Sequence, residues 1–365
     1  MKNTFGNALT LTLFGESHGA AVGAVLDGLT PGLQVDDGEI RAMLARRRPR
    51  SALDTARKEP DDYRIVSGVF EGKTTGTPLC ILIPNTDTKS GDYTPGMARP
   101  SHADYTARCK YHGFEDYRGG GHFSGRVTAA LVAAGGILLP ALRRLGVSIG
   151  THILSCGGVE DVPFSKDPGG EIARLSGCDF PVLAPERGEK MTEAILAAKA
   201  ELDSVGGCTE TAVTGFPAGV GEPFFDTVEG VIAHAMFAIG GVKGVEFGLG
   251  FGFAGGRGSA CNDAFRMENG RVVSATNRSG GVNGGVSNGM PVLFRCAVRP
   301  TPSIAKEQES VDLDKGENVT LAVKGRHDPA IVRRVCPVID SVTALVLSDL
   351  LIGRYGTDVL RNGGF

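Results

Sequence analysis

Three features of this 365-residue sequence predict a chain that mixes strands and helices. Apolar residues alternate with the strand period in several short runs, the first being ALTLTLF at 8–14. In longer runs they recur at helical spacing, as in GRVTAALVAAGGILLPALRRLG at 125–146 and in the stretch after Pro329. Glycine, at 54 residues, is well above its usual share of about 7% and is spread between the runs, which suits tight turns and close backbone approach to ligands.

Taken in order, the run 8–14 stops at Gly15-Glu16-Ser17-His18-Gly19, and a second strand-like run, AAVGAVLDGL, follows. His18 is therefore predicted at a glycine-bounded turn, aimed into a cleft or facing solvent. Next, Asp36 or Asp37 can cap a helix with an acidic first turn and a basic last turn, which Pro49 stops. Arg46, Arg47, Arg48 and Arg50 crowd the helix end, with Arg57 and Lys58 behind them. Such a run is either a solvated face or a site for a small polyanion, since guanidinium forks bind phosphate and carboxylate. Strands at 63–72 and 77–85 flank a Lys-Thr-Thr-Gly turn, and 85–100 reads as a long exposed loop of the lid type.

The stretch from Arg99 to Val127 packs His102, His112 and His122 and Arg99, Arg108, Arg118 and Arg126 around Gly119-Gly120-Gly121. Its weak apolar periodicity predicts a loop that runs into a helix ending near Gly146. Glycines ahead of a helix start present N–H groups to an anion, and imidazoles carry protons near neutral pH. The plainer reading is a surface glycine loop with satisfied histidines.

Beyond it come a strand at 147–159, an irregular segment at 160–187, an amphipathic helix from Met191, and a strand from Thr211. A helix and a strand follow between Asp226 and Gly248. GFGFAG at 250–255 matches G-x-G-x-x-G, but the loop-like GGRGSACNDAF after it opens no helix, so a dinucleotide reading is set aside. A second glycine loop at 279–290 leads into a strand and then RPTPS. The last segment passes through Arg326-His327-Asp328-Pro329 into a long apolar helix, with Asp328 predicted as its N-cap.

The net charge of −3 gives no global case for nucleic acid or an acidic membrane surface, and the arginine run lacks interleaved aromatics. The eight cysteines show no C-x-x-C pair or zinc-like spacing, and several lie in apolar runs, so buried reduced thiols and no metal site are expected. With no signal peptide and no stretch near the roughly 18 uninterrupted apolar residues of a membrane helix, a soluble cytoplasmic protein is expected. Turn histidines, loop arginines and dispersed glycine loops suit a cleft for a small polyanion plus a flat, phosphorylated cofactor, with proton transfer as the chemistry.

Six motifs go further: FGESHG at 14–19, RRRP at 46–49, SGVFEGKTTGTP at 67–78, RPSHADYT at 99–106, DYRGGGHFSGR at 116–126 and KGRHDP at 324–329. In this order they resemble chorismate synthase, and the similarity runs from the N-terminus to about residue 352. The resemblance implies an α+β fold: a single-domain β-α-β sandwich over 1–365, with helices layered between antiparallel sheets, assembled as a homotetramer. It implies 1,4-anti elimination of phosphate from 5-enolpyruvylshikimate 3-phosphate, dependent on reduced FMN (FMNH2) without net redox change. His18 then matches the histidine that protonates the leaving phosphate. His102 matches the one beside flavin N1, and Asp328 the aspartate that helps deprotonate flavin N5. His122, Phe123, Ser124, Gly240, Gly241, Gly284, Arg299, Pro300, Thr301, Pro302, Ser303 and Arg326 fall at flavin positions. Ser17, Arg46, Arg47, Arg48 and Arg126 fall at substrate positions.

The sequence departs from the family pattern in places. His122, Phe123 and Gly125 stand where the commoner loop GGGRSSAR has Arg, Ser and Ala. Ser101 stands for a usual glycine and Asp340 for a usual Glu, and an arginine expected after RRRP has no match around Leu53. Whether the chain reduces its own flavin is left open by the sequence; no extra domain for that task is expected, and an external flavin reductase with NADPH as the indirect reductant is the expectation. Two other classes remain open: a non-catalytic flavin or nucleotide binder, and an RNA binder using the arginine run, which steep salt dependence would reveal.

Overall fold

The computed structural model describes residues 2–51, 53–55, 59–88, 91, 93–323, 328–362 and 365. The alternation at 8–14 becomes the strand Thr10–Gly15, paired antiparallel with Ala21–Asp27 across the His18 turn. These two are part of a five-stranded antiparallel sheet in the order Thr4–Phe5, Thr10–Gly15, Ala21–Asp27, Leu79–Pro84, Arg64–Ser67. A second five-stranded antiparallel sheet runs in the order Val242–Phe247, Val292–Val298, Gly207–Thr214, Ser148–Cys156, Val159–Glu160. Along Val292–Val298 every second residue is buried, the pattern of a sheet with one face in the core.

Helices fill the space between. Thr128–Arg144 packs on the first sheet, Val332–Tyr355 packs on the second, and the two pack on each other and on Asp37–Arg47. Side chains are missing where they meet most closely. A Cβ on Gly135 would fall 2.2 Å from Ser341 Oγ, and one on Gly136 2.6 Å from Ile40 Cα. The fold is thus α+β, with helices layered between antiparallel sheets, as the resemblance implies. The buried Asp349 ties the N-terminal segment to the last long helix by accepting from the backbone N–H groups of Asn7, Ala8 and Leu9.

Two helices, Gly125–Arg144 and Val332–Tyr355, are long and apolar enough by length and composition to cross a membrane. Neither is an uninterrupted apolar run, since Arg126 and Thr128 break the first and Asp340 and Asp349 the second, so the expectation drawn from uninterrupted runs stands. Their apolar windows are 78% and 94% buried inside the fold, so the apolarity belongs to a core between two sheets.

Other expectations also change. Residues Asp104–Tyr111 form a helix inside the stretch expected to be loop; it buries only Ala107, so no apolar stripe announces it. The amphipathic helix expected from Met191 begins at Pro185, with the proline in its first turn. Two exposed hairpins, Phe265–Glu268 with Arg271–Ser274 and Gln308–Asp312 with Glu317–Leu321, carry little apolar signal. Asp36 does cap its helix, accepting from Gly38 and Glu39 N–H. Asp328 does not: the last long helix has Ile331 at its N-cap and no side-chain cap. Gly250–Gly255 is an unburied 3-10 turn before a helix of only four residues, so the glycine pattern there lacks its helix. Of the eight free cysteines, Cys156, Cys296 and Cys336 are buried and Cys109 is exposed, so the buried-thiol expectation holds for part of the set. Burial pushes the Cys156 thiol up to about 11 and that of Cys296 to about 12.

Candidate active site

The triple glycine organises the site. Gly119 (φ 61°), Gly120 (φ 81°) and Gly121 (φ 54°) all take left-handed backbone, which side-chain-bearing residues adopt only at a cost. A Cβ on Gly119 would fall 2.6 Å from His18 Cδ2 and 2.9 Å from Ser17 Oγ. One on Gly120 would fall 3.0 Å from His102 Cε1. Two histidines far apart in sequence therefore lie against adjacent residues of one loop. The loop is bonded to the His18 hairpin: Ser17 N–H donates to Gly121 O at 3.0 Å, and His122 Nδ1–H to Gly15 O at 2.8 Å. The His18 ring meets Tyr93 edge-on, with centroids 5.4 Å apart. The carboxyl of Asp116 is held below the ordinary range, chiefly by hydrogen bonding to Arg118, with the field of His18 contributing.

His102 sits in a charged frame. Its Nδ1 lies 2.9 Å from Asp104 Oδ1 and 3.0 Å from Arg99 Nη2. Arg99 grips Asp104 with Nε–H to Oδ2 at 2.8 Å and Nη2–H to Oδ1 at 2.7 Å. Burial opposes the charge on Asp104, but hydrogen bonds from Arg99 and His102 outweigh it and hold the carboxyl well below the usual carboxylate range. The RPTPS segment closes on the same place: Arg299 donates to Ser101 O at 2.8 Å, and Arg99 Nη1 lies 3.4 Å from Ser303 Oγ. Ser101 itself has φ 57°, which accounts for glycine being usual there. Ser101→Gly is expected to stabilise the fold by about 1 kcal/mol by removing left-handed strain. A higher denaturant midpoint at unchanged slope would show it, and an unchanged or lower midpoint would sink it.

Of the arginine run, Arg47 is buried, Arg46 and Arg48 are half-buried and Arg50 is exposed, while Arg57 and Lys58 lie outside the described residues. Arg47 and Arg126 are buried and both pair with Asp61, Arg47 through Nη2 at 2.7 Å and Arg126 through Nη1. Arg126 also donates from Nε to Asn85 Oδ1 at 2.9 Å, and Asn85 donates to Glu16 O and Gly19 O, which joins Arg126 to the His18 turn. Burial brings the Arg47 guanidinium down to about 10; Asp61 opposes this, while Arg334 and Arg126 add to it. Arg47 Nε is buried with no acceptor among the described residues, an N–H that an anionic ligand would satisfy. Arg46 pairs with the buried Asp340 at 3.1 Å, so Asp340 serves an ion pair between core helices; burial pushes its carboxyl up against the pull of Arg46. Arg48 donates to Pro60 O at 2.6 Å.

Asp328 accepts from Thr55 N–H at 2.9 Å and pairs with Arg334 at 2.6 Å, and Arg334 donates on to Arg47 O at 2.8 Å. A continuous chain of contacts thus links Asp328 to Arg47, Asp61, Arg126, Asn85 and the His18 turn. Gly241 O accepts from Arg299 N–H at 2.9 Å, which places Gly240 and Gly241 beside RPTPS. Gly284 lies on the turn of the hairpin Val282–Asn283 and Val286–Ser287, whose described contacts are with residues 217–228. Arg326 lies outside the described residues. Ser124 accepts from Arg126 N–H, and Phe123 stacks edge-on with Tyr111 at 6.1 Å.

A cleft of about 830 Å³ opens beside the glycine loop, lined by Phe14, Tyr93, Tyr111, Phe123, Arg99 and His122 among others. Aromatic walls, cationic edges and a glycine surface that admits close approach fit a flat, phosphorylated cofactor such as FMN. Sequence reasoning missed Asp104, Asp61, Asn85 and Tyr93. Asp104 was open to notice, two positions after His102; the partnership of Asp61 with arginines distant in sequence leaves no local trace.

The family model described as chorismate synthase matches residues 9–352. A chorismate synthase of Methanocella arvoryzae is 44% identical over 355 residues, covering 96% of this chain and 94% of that protein. One of Pyrococcus abyssi is 45% identical over 352 residues, covering 96% and 97%. A solved structure titled "Crystal Structure of Chorismate Synthase" superposes with a TM-score of 0.76 at 27% identity, covering 97% of this chain and 94% of that one.

Proposed function

The chain belongs to the chorismate synthase family, and on that premise we propose that it eliminates phosphate from 5-enolpyruvylshikimate 3-phosphate to give chorismate. It is a carbon–oxygen lyase. The observation that carries the specific reaction is the seating of His18 and His102 against the adjacent Gly119 and Gly120 of one loop, of which Gly120 lines a cofactor-sized cleft.

In this reading His18 donates a proton to the departing phosphate oxygen as the C–O bond breaks. Ser17 and the arginines at 46–48 and 126 hold the substrate's anionic groups, with Arg47 Nε the donor still lacking an acceptor. His122, Phe123, Ser124, the RPTPS segment, Gly240, Gly241, Gly284 and Arg326 would hold the flavin. Reduced FMN supplies and recovers the electron density that loss of a non-acidic C–H requires. With the cofactor bound, His102 would hold a proton beside it, and Asp328, steadied by Thr55 and Arg334, would serve as a proton acceptor. The chain works as one domain in a cytoplasmic homotetramer fed by an external flavin reductase and NADPH. Phe224, Phe225, Phe251 and Phe265, all strongly exposed, are surfaces a second copy would cover; sedimentation as a monomer would count against it.

An anaerobic assay of phosphate release tests the reaction. Chorismate should form only with reduced FMN, with no reductant consumed per turnover. Stoichiometric oxidation of the reductant, or turnover with FMN omitted, would overturn the assignment.

A further inference from the structure

We propose that Asp104 is a positioning residue that keeps the proton of His102 on Nδ1, leaving Nε2 as the working nitrogen toward the glycine loop. The proposal deepens the reading of His102 given above and rests on it for its catalytic meaning, though not for its geometry.

Three groups meet in a triangle. Asp104 Oδ1 lies 2.9 Å from His102 Nδ1, Arg99 Nη2 lies 3.0 Å from the same nitrogen, and Arg99 Nη2 lies 2.7 Å from Asp104 Oδ1. Arginine only donates and an ionised carboxylate only accepts, so the imidazole must side with one of them. Were Nδ1 bare, its lone pair would face a carboxylate oxygen at 2.9 Å, two acceptors in contact in a partly buried site. With a proton on Nδ1, the contact becomes a charge-assisted hydrogen bond. Arg99 does not need the imidazole: Nε and Nη2 already engage both oxygens of Asp104, and Nη1 reaches toward Ser303. The ordered carboxylate therefore decides the tautomer. Asp104 is itself fixed from three directions, by Arg99 Nε, Arg99 Nη2 and the Arg99 backbone N–H at 2.9 Å, and it stands in the first turn of Asp104–Tyr111, where the helix dipole favours its charge.

The other ring edge is thereby set. Cε1 and Nε2 face Gly120, at 3.0 and 3.5 Å from where a Cβ would stand. In the neutral ring Nε2 accepts a proton; in the protonated ring it donates one. Both forms keep Nδ1–H on Asp104, so proton exchange at Nε2 needs no ring flip. Removing the carboxylate that orients a metal-bound histidine typically costs roughly 10–100-fold, and a loss of that order is expected for this metal-free pair.

The test uses the full-length chain without flavin. Long-range ¹H–¹⁵N correlation spectra of the ¹⁵N-labelled protein, with the His102 signals identified by their loss in His102→Gln, report which ring nitrogen carries the proton in the neutral form. The expected result is Nδ1–H in the wild type, loss of that preference in Asp104→Asn, and its return in Asp104→Glu. Nε2–H in the wild type overturns the proposal whatever the variants do, as does an Nδ1–H preference that survives Asp104→Asn. With reduced FMN and the phosphorylated substrate, Asp104→Asn should then turn over roughly 10–100-fold more slowly. A wild type with no such turnover would overturn the functional reading while leaving the tautomer result standing.

Discussion

Replacing His18 with alanine is expected to slow phosphate release by roughly 10²–10⁴-fold, the span of a positioned general acid. The expectation rests on placement. His18 sits on the turn between Thr10–Gly15 and Ala21–Asp27, its ring lies against Gly119, and its hairpin is bonded to Asn85 and through Asn85 to Arg126. A proton donor joined in this way to an arginine assigned to substrate anions suits departure of a phosphate. Because the turn is held by backbone and Asn85 contacts, the variant should fold with a wild-type midpoint and bind reduced flavin with a normal spectrum. His102→Ala should lose rate by a similar factor but change the absorbance of bound reduced flavin under anaerobic conditions, since His102, against Gly120, is the histidine assigned to the flavin. Identical spectra and identical losses in the two variants would end this division of labour. Full activity in His18→Ala would reduce His18 to a turn residue.

Much of this arrangement could be read from the sequence wherever chemistry and local pattern coincide. Alternation at 8–14 and apolar runs elsewhere marked most strands of both sheets, though not Thr4–Phe5, while glycine-bounded Ser17-His18 marked the turn and Gly119-Gly120-Gly121 the loop. Pattern fails where the stabilising partner is distant. Asp104–Tyr111 is helical through charge placement and local bonds with a single buried alanine, so no apolar period betrays it. Asp328 looks like a cap because proline follows it, yet its oxygens go to Thr55 and Arg334. The arginine run reads as surface because its compensating charges, Asp61 and Asp340, lie on other segments. Composition alone shows that charges are present; only the fold shows which are buried together.

Asp61 carries the second large effect. Its side chain is wholly buried, and Arg47 and Arg126, themselves nearly buried, both close on it. Removing one member of such a group leaves uncompensated charge in the interior, at a cost of about 3–5 kcal/mol. Asn is the informative replacement: Asp61 has φ 55°, and Asn adopts left-handed backbone as readily as Asp, so lost charge is not confused with added strain. Asp61→Asn is therefore expected to lose about 3–5 kcal/mol, read from the denaturant midpoint. Acid should bring the two proteins closer together. Burial alone would raise the Asp61 carboxyl, but Arg47 and Arg126 outweigh it, and the net shift is downward from the ordinary value of 3.8. A carboxyl lowered on folding adds stability that is complete above its unfolded value and is lost as pH falls through the folded one. Wild type should thus lose this increment below about pH 4, whereas Asp61→Asn, having no proton to take up there, should show a shallower acid limb. Partial recovery in the double variant with Arg47→Met would confirm that the cost lies in unpaired positive charge. A single variant as stable as wild type would mean the two arginines need no buried counter-ion, and that Asp61 merely occupies ground where a substrate anion is otherwise bound.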